Sequence, residues 1–146
     1  MSRKYHQGRF KPKNPQKYNG DPTGIIYRSG WELRLMSYLD DHPHVKKWAS
    51  EELVIPYVSP IDGRYHRYFT DFVVWKSDGE VLVVEVKPAN QTKPPVLKEG
   101  RSKKNYINEV RTFGINKAKW DAADKFCKKK GWKFVIFTEH DLPGKK

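Results

Sequence analysis

The run Tyr68-Phe69-Thr70-Asp71-Phe72-Val73-Val74-Trp75-Lys76-Ser77-Asp78-Gly79-Glu80-Val81-Leu82-Val83-Val84-Glu85-Val86-Lys87 decides how this chain folds. Two apolar stretches flank Ser77-Asp78-Gly79, which is the turn chemistry of a tight hairpin. Tyr65 to Trp75 is expected as one strand and Val81 to Val86 as the next, the latter apolar enough to be central. Upstream, Leu53 to Val58 reads as another strand, which Pro56 confines to an edge or a bulge. Pro60-Ile61-Asp62-Gly63 then turns the chain back. The three strands make an antiparallel meander.

Helices are expected on both sides of it in sequence. Ser29 followed by Glu32 is the capping-box spacing, in which the glutamate accepts from the backbone N–H of Ser29. Trp31, Leu35, Met36 and Leu39 then recur at helical spacing, and Pro43 ends the helix near Asp40–Asp41. Val45 to Trp48 leads out toward the first strand. After Pro88, Lys93 to Lys104 is Lys- and Pro-rich and is expected as an exposed loop. A short helix over Tyr106 to Phe113 and a better one capped by Asn116 are expected next. Lys128-Lys129-Lys130 suits the negative end of the second, and Gly131 is its terminator. Trp132 to Thr138 is the last strand. A helix between the third and fourth strands permits a parallel crossover. The fold class is therefore α/β: helix, three-stranded antiparallel meander, helix, strand, on a central mixed sheet.

The same hairpin carries the candidate chemistry. Asp71 lies inside an apolar strand, where an unpartnered acid is costly, so a ligand or partner is expected beside it. Side chains alternate along a strand, so Glu85 and Lys87 share one face while Val84 and Val86 take the other. The hairpin can bring Asp71 beside Glu85. Two carboxylates suit Mg²⁺, a hard ion that takes one or two of them with waters and substrate phosphate oxygens. The carbonyl of Val86 is a candidate third ligand, and Mn²⁺ is expected to substitute. Lys87 can orient a water or steady charge developing on phosphate. The plainer alternative is a surface Asp with a cross-strand Glu–Lys pair. Glu32, ahead of the sheet, is either a third acid of the site or a helix cap only.

The charge points to the substrate. Twenty-nine Lys and Arg against seventeen Asp and Glu give +12 at pH 7, which asks for a polyanion partner. No apolar run approaches the roughly 20 residues of a spanning helix, and the N-terminus has no apolar core of a secretory signal, so membrane and secretion are not expected. Cys127 is the one cysteine, which excludes an internal disulfide, and no Cys/His set has zinc spacing. Apolar residues are 37% of the chain, low enough to expect a solvated segment. Residues 1–19 fit it: they hold Arg3, Lys4, Arg9, Lys11, Lys13 and Lys17 and no acid, with two prolines and interleaved aromatics. They are expected as a flexible arm on DNA phosphates, ahead of a single domain over 20–146. Arg101, Lys103 and Lys104 are expected as further DNA contacts.

Several short motifs resemble one family. Tyr27-Arg28-Ser29-Gly30-Trp31-Glu32, Val45-Lys46-Lys47-Trp48, Pro56-Tyr57, Tyr68-Phe69-Thr70-Asp71-Phe72 and Glu85-Val86-Lys87-Pro88 are similar to the PD-(D/E)xK endonucleases, and to their TnsA-like branch of transposon and phage enzymes. The likeness continues through Lys117-Ala118-Lys119-Trp120, Gly131-Trp132-Lys133-Phe134 and Thr138-Glu139. Thr70 stands where the motif's naming proline would be, a position that shapes the strand and is not a ligand. The resemblance implies a restriction-endonuclease-like α-β sandwich and a Mg²⁺-dependent endonuclease acting on double-stranded DNA. It further implies Glu32, Asp71, Glu85 and Lys87 as the site residues. From the phage members it implies work on packaged DNA in the host cytoplasm, with portal or neck proteins of the capsid as partners.

Overall fold

A computed structural model describes residues 7–141. In chain order the elements are β1 (Gly8–Arg9), a 3₁₀ turn (Pro15–Lys17), β2 (Ile26–Tyr27), α1 (Gly30–Asp41), β3 (Val45–Ser50), β4 (Val54–Val58), β5 (Tyr65–Phe69), β6 (Phe72–Lys76), β7 (Val81–Val86), a 3₁₀ turn (Ala89–Gln91), α2 (Lys103–Lys130) and β8 (Lys133–Phe137). The central sheet runs β3-β6-β7-β8, antiparallel except for the parallel pair β7–β8 that α2 connects. It is the mixed α/β sandwich that the sequence predicts.

Alternation along the strands sorts two cores. Phe72, Val74 and Val84 pack with Leu35, Met36 and Leu39 of α1, and Val86 lies against the same cluster. Val73 and Val83 face the other way, onto Cys127, while Phe134 and Ile136 pack toward Trp120 of α2. Ile55, Tyr57 and Tyr68 of the β4–β5 hairpin share that second layer. The sheet is thus covered by α1 on one face, and by α2 with a two-stranded ribbon on the other.

The stretch expected as one strand, Tyr65 to Trp75, is two. Strand β5 pairs only with β4, and β6 joins the central sheet between β3 and β7. Strand β3, expected only as a lead-in, is the partner of β6. Pairing passes from Ser50–Phe72 to Val54–Phe69, so residues 51–53 oppose residues 70–71. One strand carries an extra residue, which is a bulge. Thr70 donates from its backbone N to the carbonyl of Leu53 at 3.1 Å, and Glu51 N to the carbonyl of Asp71 at 3.2 Å, so the break is pinned on both sides. Glu51 takes φ 56°, an uncommon conformation for a residue with a side chain. The bulge also switches faces. Tyr68 packs toward α2, whereas Phe72, four residues on, packs toward α1.

Two further expectations change. The two helices expected after Lys104 are one, 28 residues or about 42 Å long, because Phe113, Ile115 and Ala118 pack on the same hairpin layer as Trp120 and carry the helix through Gly114. Its first residues, Lys103 and Lys104, are helical rather than loop, with Ser102 as the cap. Gly131 ends it in the left-handed conformation, as expected (φ 75°).

The described part of the basic arm, residues 7–19, is laid on the domain. Strand β1 pairs with β2, and Phe10 and Tyr18 are buried edge-on against Trp48. The buried Asp40 carboxylate accepts from the backbone N–H groups of Lys13 (2.8 Å) and Asn14 (3.1 Å). Its two oxygens need donors in a dry setting, and the arm supplies them.

Candidate active site

Strand β7 is buried on both faces from Val83 to Glu85, so the acid enters the site from inside the sandwich. Glu85 is 7% exposed. The Tyr68 hydroxyl donates a short hydrogen bond to Glu85 Oε1, and Lys87 Nζ stands 3.4 Å from Glu85 Oε2. Asp71, delivered by the bulge, accepts from the backbone N–H of Val86 through Oδ2 at 2.8 Å. Asp71, Glu85 and Lys87 therefore meet where β6 and β7 leave the core.

The electrostatics are those of a crowded acid pair. Burial, then the charge of Glu85, pushes the Asp71 carboxyl up to about 8 against the opposing Val86 N–H; Glu32 adds to the rise and Lys87 subtracts. Burial, then Glu85, holds the Tyr68 phenol far above its ordinary range, which keeps it a hydrogen-bond donor. The Glu32 carboxyl is also raised, by burial first, with Glu51 and Glu85 adding charge and the Arg28 N–H opposing.

Glu32 takes part in the cap at the start of α1, with one change of partner. Ser29 caps α1 by accepting from the backbone N–H of Glu32 at 3.1 Å. The return bond from Glu32 Oε1 reaches the N–H of Arg28 (2.8 Å) rather than that of Ser29. From there its charge still acts on Asp71.

Sequence reasoning missed Tyr68 and Glu51. Glu51 forms an ion pair with Arg28 and adds negative charge near Glu32. Tyr68 looked like one more strand aromatic, since only the bulge turns it toward Glu85. A positively charged partner for these acids is sparse, and Lys87 is the cation paired with Glu85.

That imbalance fits a divalent cation. Among the described residues no three His, Cys, Asp or Glu side chains stand close enough to form a complete protein cage. Two carboxylates can nevertheless hold such an ion when waters and substrate oxygens complete its shell.

The basic residues expected on DNA belong to opposite layers of the sandwich. Arg9, Lys11 and Lys13 are exposed along the segment packed on the α1 side. Lys17 is engaged internally: its Nζ donates to the carbonyls of Asp40 and His42, both at 2.9 Å, and so caps the end of α1. Lys103 and Lys104 are exposed in the first turn of α2, and Arg101 forms an ion pair with Glu109. Arg3 and Lys4 lie outside the described residues.

Comparison with known proteins agrees with this geometry. The family described as TnsA-like endonuclease N terminal matches residues 42–139, a span that holds Asp71, Glu85 and Lys87. A head completion nuclease of Enterobacteria phage T4 is 41% identical over 140 residues, covering 94% of this chain and 93% of the relative. No solved structure matches. A hairpin that buries two carboxylates beside a lysine, inside a span matched by that family, leads to one conclusion: the chain belongs to the TnsA-like endonucleases, of the PD-(D/E)xK type.

Proposed function

We propose that this chain is a Mg²⁺-dependent deoxyribonuclease that cuts phosphodiester bonds of packaged DNA while phage heads are completed. The observation that carries the reading is the buried Asp71–Glu85 pair, in which burial and the charge of Glu85 raise the Asp71 carboxyl. Two buried carboxylates that repel each other are costly unless a cation occupies the pair. The name of the phage T4 relative supports the setting, and the net charge supports a DNA substrate.

Asp71 and Glu85 would hold the ion, with the Val86 carbonyl as a further ligand. When bound, Mg²⁺ polarises the scissile phosphate and makes a bound water more acidic. The protein does the rest. The Val86 N–H fixes one Asp71 oxygen, and the Tyr68 hydroxyl fixes one Glu85 oxygen, so both carboxylates are held before substrate arrives. Lys87 projects on the same face as Glu85, where its ammonium orients the attacking water and steadies negative charge developing on the phosphate. Glu32 adds negative charge from α1.

Basic residues of the N-terminal flank and of 101–104 contact the DNA backbone. The nuclease domain takes in residues 7–19 as well, since Phe10 and Tyr18 pack in its core. A head-completion role makes portal or neck proteins its capsid partners and phage assembly in the host its setting. No described helix is long and apolar enough to cross a membrane.

The test is a cleavage assay on supercoiled plasmid. Nicked or linear products are expected with Mg²⁺, and with Mn²⁺ in its place, and none with EDTA. Cleavage that ignores EDTA would remove the metal from the mechanism. An inert protein under all three conditions would leave only a DNA-binding head component.

A further inference from the structure

Two residues beyond Lys87 the chain enters a cavity that the catalytic reading does not use. It lies between the Ala89–Gln91 turn with the loop after it and the first half of α2, and its volume is about 930 Å³. That is near the top of the range, roughly 300–1,000 Å³, in which sites for small organic ligands fall. Two extended residues span at most about 7 Å, so the Ala89 edge of the cavity lies within that distance of the Lys87 backbone. The turn is held in place from β8's end, where Glu139 Oε1 accepts from Ala89 N at 2.9 Å.

Its lining has three chemistries. Lys93, Lys98 and Arg101 are cations, and the one acid on the wall, Glu109, is already paired with Arg101. Four amide-bearing residues line it, Asn90, Gln91, Asn108 and Asn116. Phe113 and the adjacent prolines make an apolar wall. Cations take phosphate, amides present paired donors and acceptors that match base edges, and an aromatic wall accepts a base face.

Shape decides between paired and unpaired DNA. Readers of duplex DNA insert a convex helix or ribbon into a groove. Here the amides line a concavity, so a base meets them only by entering it, and a base in a duplex cannot enter. We infer that this cavity binds a short single-stranded segment of DNA next to the cut, so that the enzyme prefers ends, flaps or gaps over continuous duplex. The inference rests on the nuclease reading for the identity of its ligand.

Fluorescence anisotropy in EDTA separates binding from cleavage. The probes are a blunt hairpin duplex and the same duplex with a four-nucleotide single-stranded tail, adjusted to equal phosphate number. Wild type is expected to bind the tailed probe at least fivefold more tightly. Asn108→Ala and Asn116→Ala are expected to erase that preference while leaving blunt-duplex affinity within twofold. Equal binding of the two probes by wild type overturns the inference, as do variants that weaken both probes alike. Plasmid cleavage with Mg²⁺ is run in parallel. Cleavage without tail preference removes the cavity's role and leaves the nuclease, whereas tail preference without cleavage does the reverse.

Discussion

The two hairpins of this protein are written in similar letters and end in different chemistry. Both alternate valines and aromatics, and both turn at an Asp-Gly pair, Asp62-Gly63 and Asp78-Gly79, whose glycines take positive φ. In β6–β7 both faces are covered, and Val83 and Val84 are 0% and 1% exposed. In β4–β5 only the inner face is covered, and Tyr65 is 78% exposed on the outer one. Their aspartates diverge accordingly. Asp62, in the open turn, has its carboxyl lowered by the Arg64 N–H and by His66. Asp71, at the joint between the hairpins, is raised by burial and by Glu85. Sequence makes a hairpin; layering decides whether its acid is raised or lowered.

The largest effect that sharpens this contrast is on catalysis. Asp71→Asn and Glu85→Gln are expected to abolish Mg²⁺-dependent nicking, while Asp62→Asn keeps it within a few-fold. Nicking rates on one plasmid substrate decide it, and full activity in either of the first two would end the site assignment. Glu32→Gln should come next, cutting the rate by a large factor with the melting curve nearly unchanged, because Gln still accepts from Arg28 N–H but carries no charge. Wild-type cleavage by Glu32→Gln would reduce Glu32 to a cap.

The third expectation concerns pH, and the two aspartates have opposite signs. Between the ordinary carboxyl range and about 8, folded Asp71 holds a proton that the unfolded chain has lost. Metal-free protein should therefore lose stability as pH rises through that window. Asp71→Asn should flatten the loss, and chemical denaturation at several pH values with EDTA measures it. Asp62 works the other way, its contribution fading as pH falls through the lowered value. An Asp71→Asn curve as steep as wild type would show that another group drives it.

The smallest effect is on packing. Val83→Ala empties a fully buried position and should cost about 2 kcal/mol by denaturant titration. Val58→Ala, 46% exposed on the ribbon, should stay within about 0.5 kcal/mol. Equal costs would mean that the ribbon's outer face is covered in solution.

Much of this was legible beforehand because it is local. Ser29 as the cap of α1, Gly131 as the end of α2, the Asp78-Gly79 turn and the shared face of Glu85 and Lys87 depend on neighbours a few residues apart, which propensity and alternation describe well. The basic charge pointed to DNA, and the spacing of Asp71, Glu85 and Lys87 pointed to the family. The readings that changed all depend on distant partners. Val45 to Ser50 becomes a strand because β6 has an open edge, and Gly114 stays helical because the flanking residues of α2 pack on the β4–β5 layer. Residues 7–19 lie down because Asp40 and Trp48 wait buried beneath them.

The site divides along the same line. The sequence by itself determined that Glu85 and Lys87 go together, since a carboxylate and a lysine two apart on a strand must share a face. Only the tertiary structure decided that Asp71 joins them, that Tyr68 and not a neighbour binds Glu85, and that Glu32 touches the pair through its charge. The reason is one inserted residue. The bulge, with its extra residue in 51–53 opposite Thr70–Asp71, changes which face each following side chain takes, and hydrogen bonds of Glu51 and Leu53 to Asp71 and Thr70 fix its position.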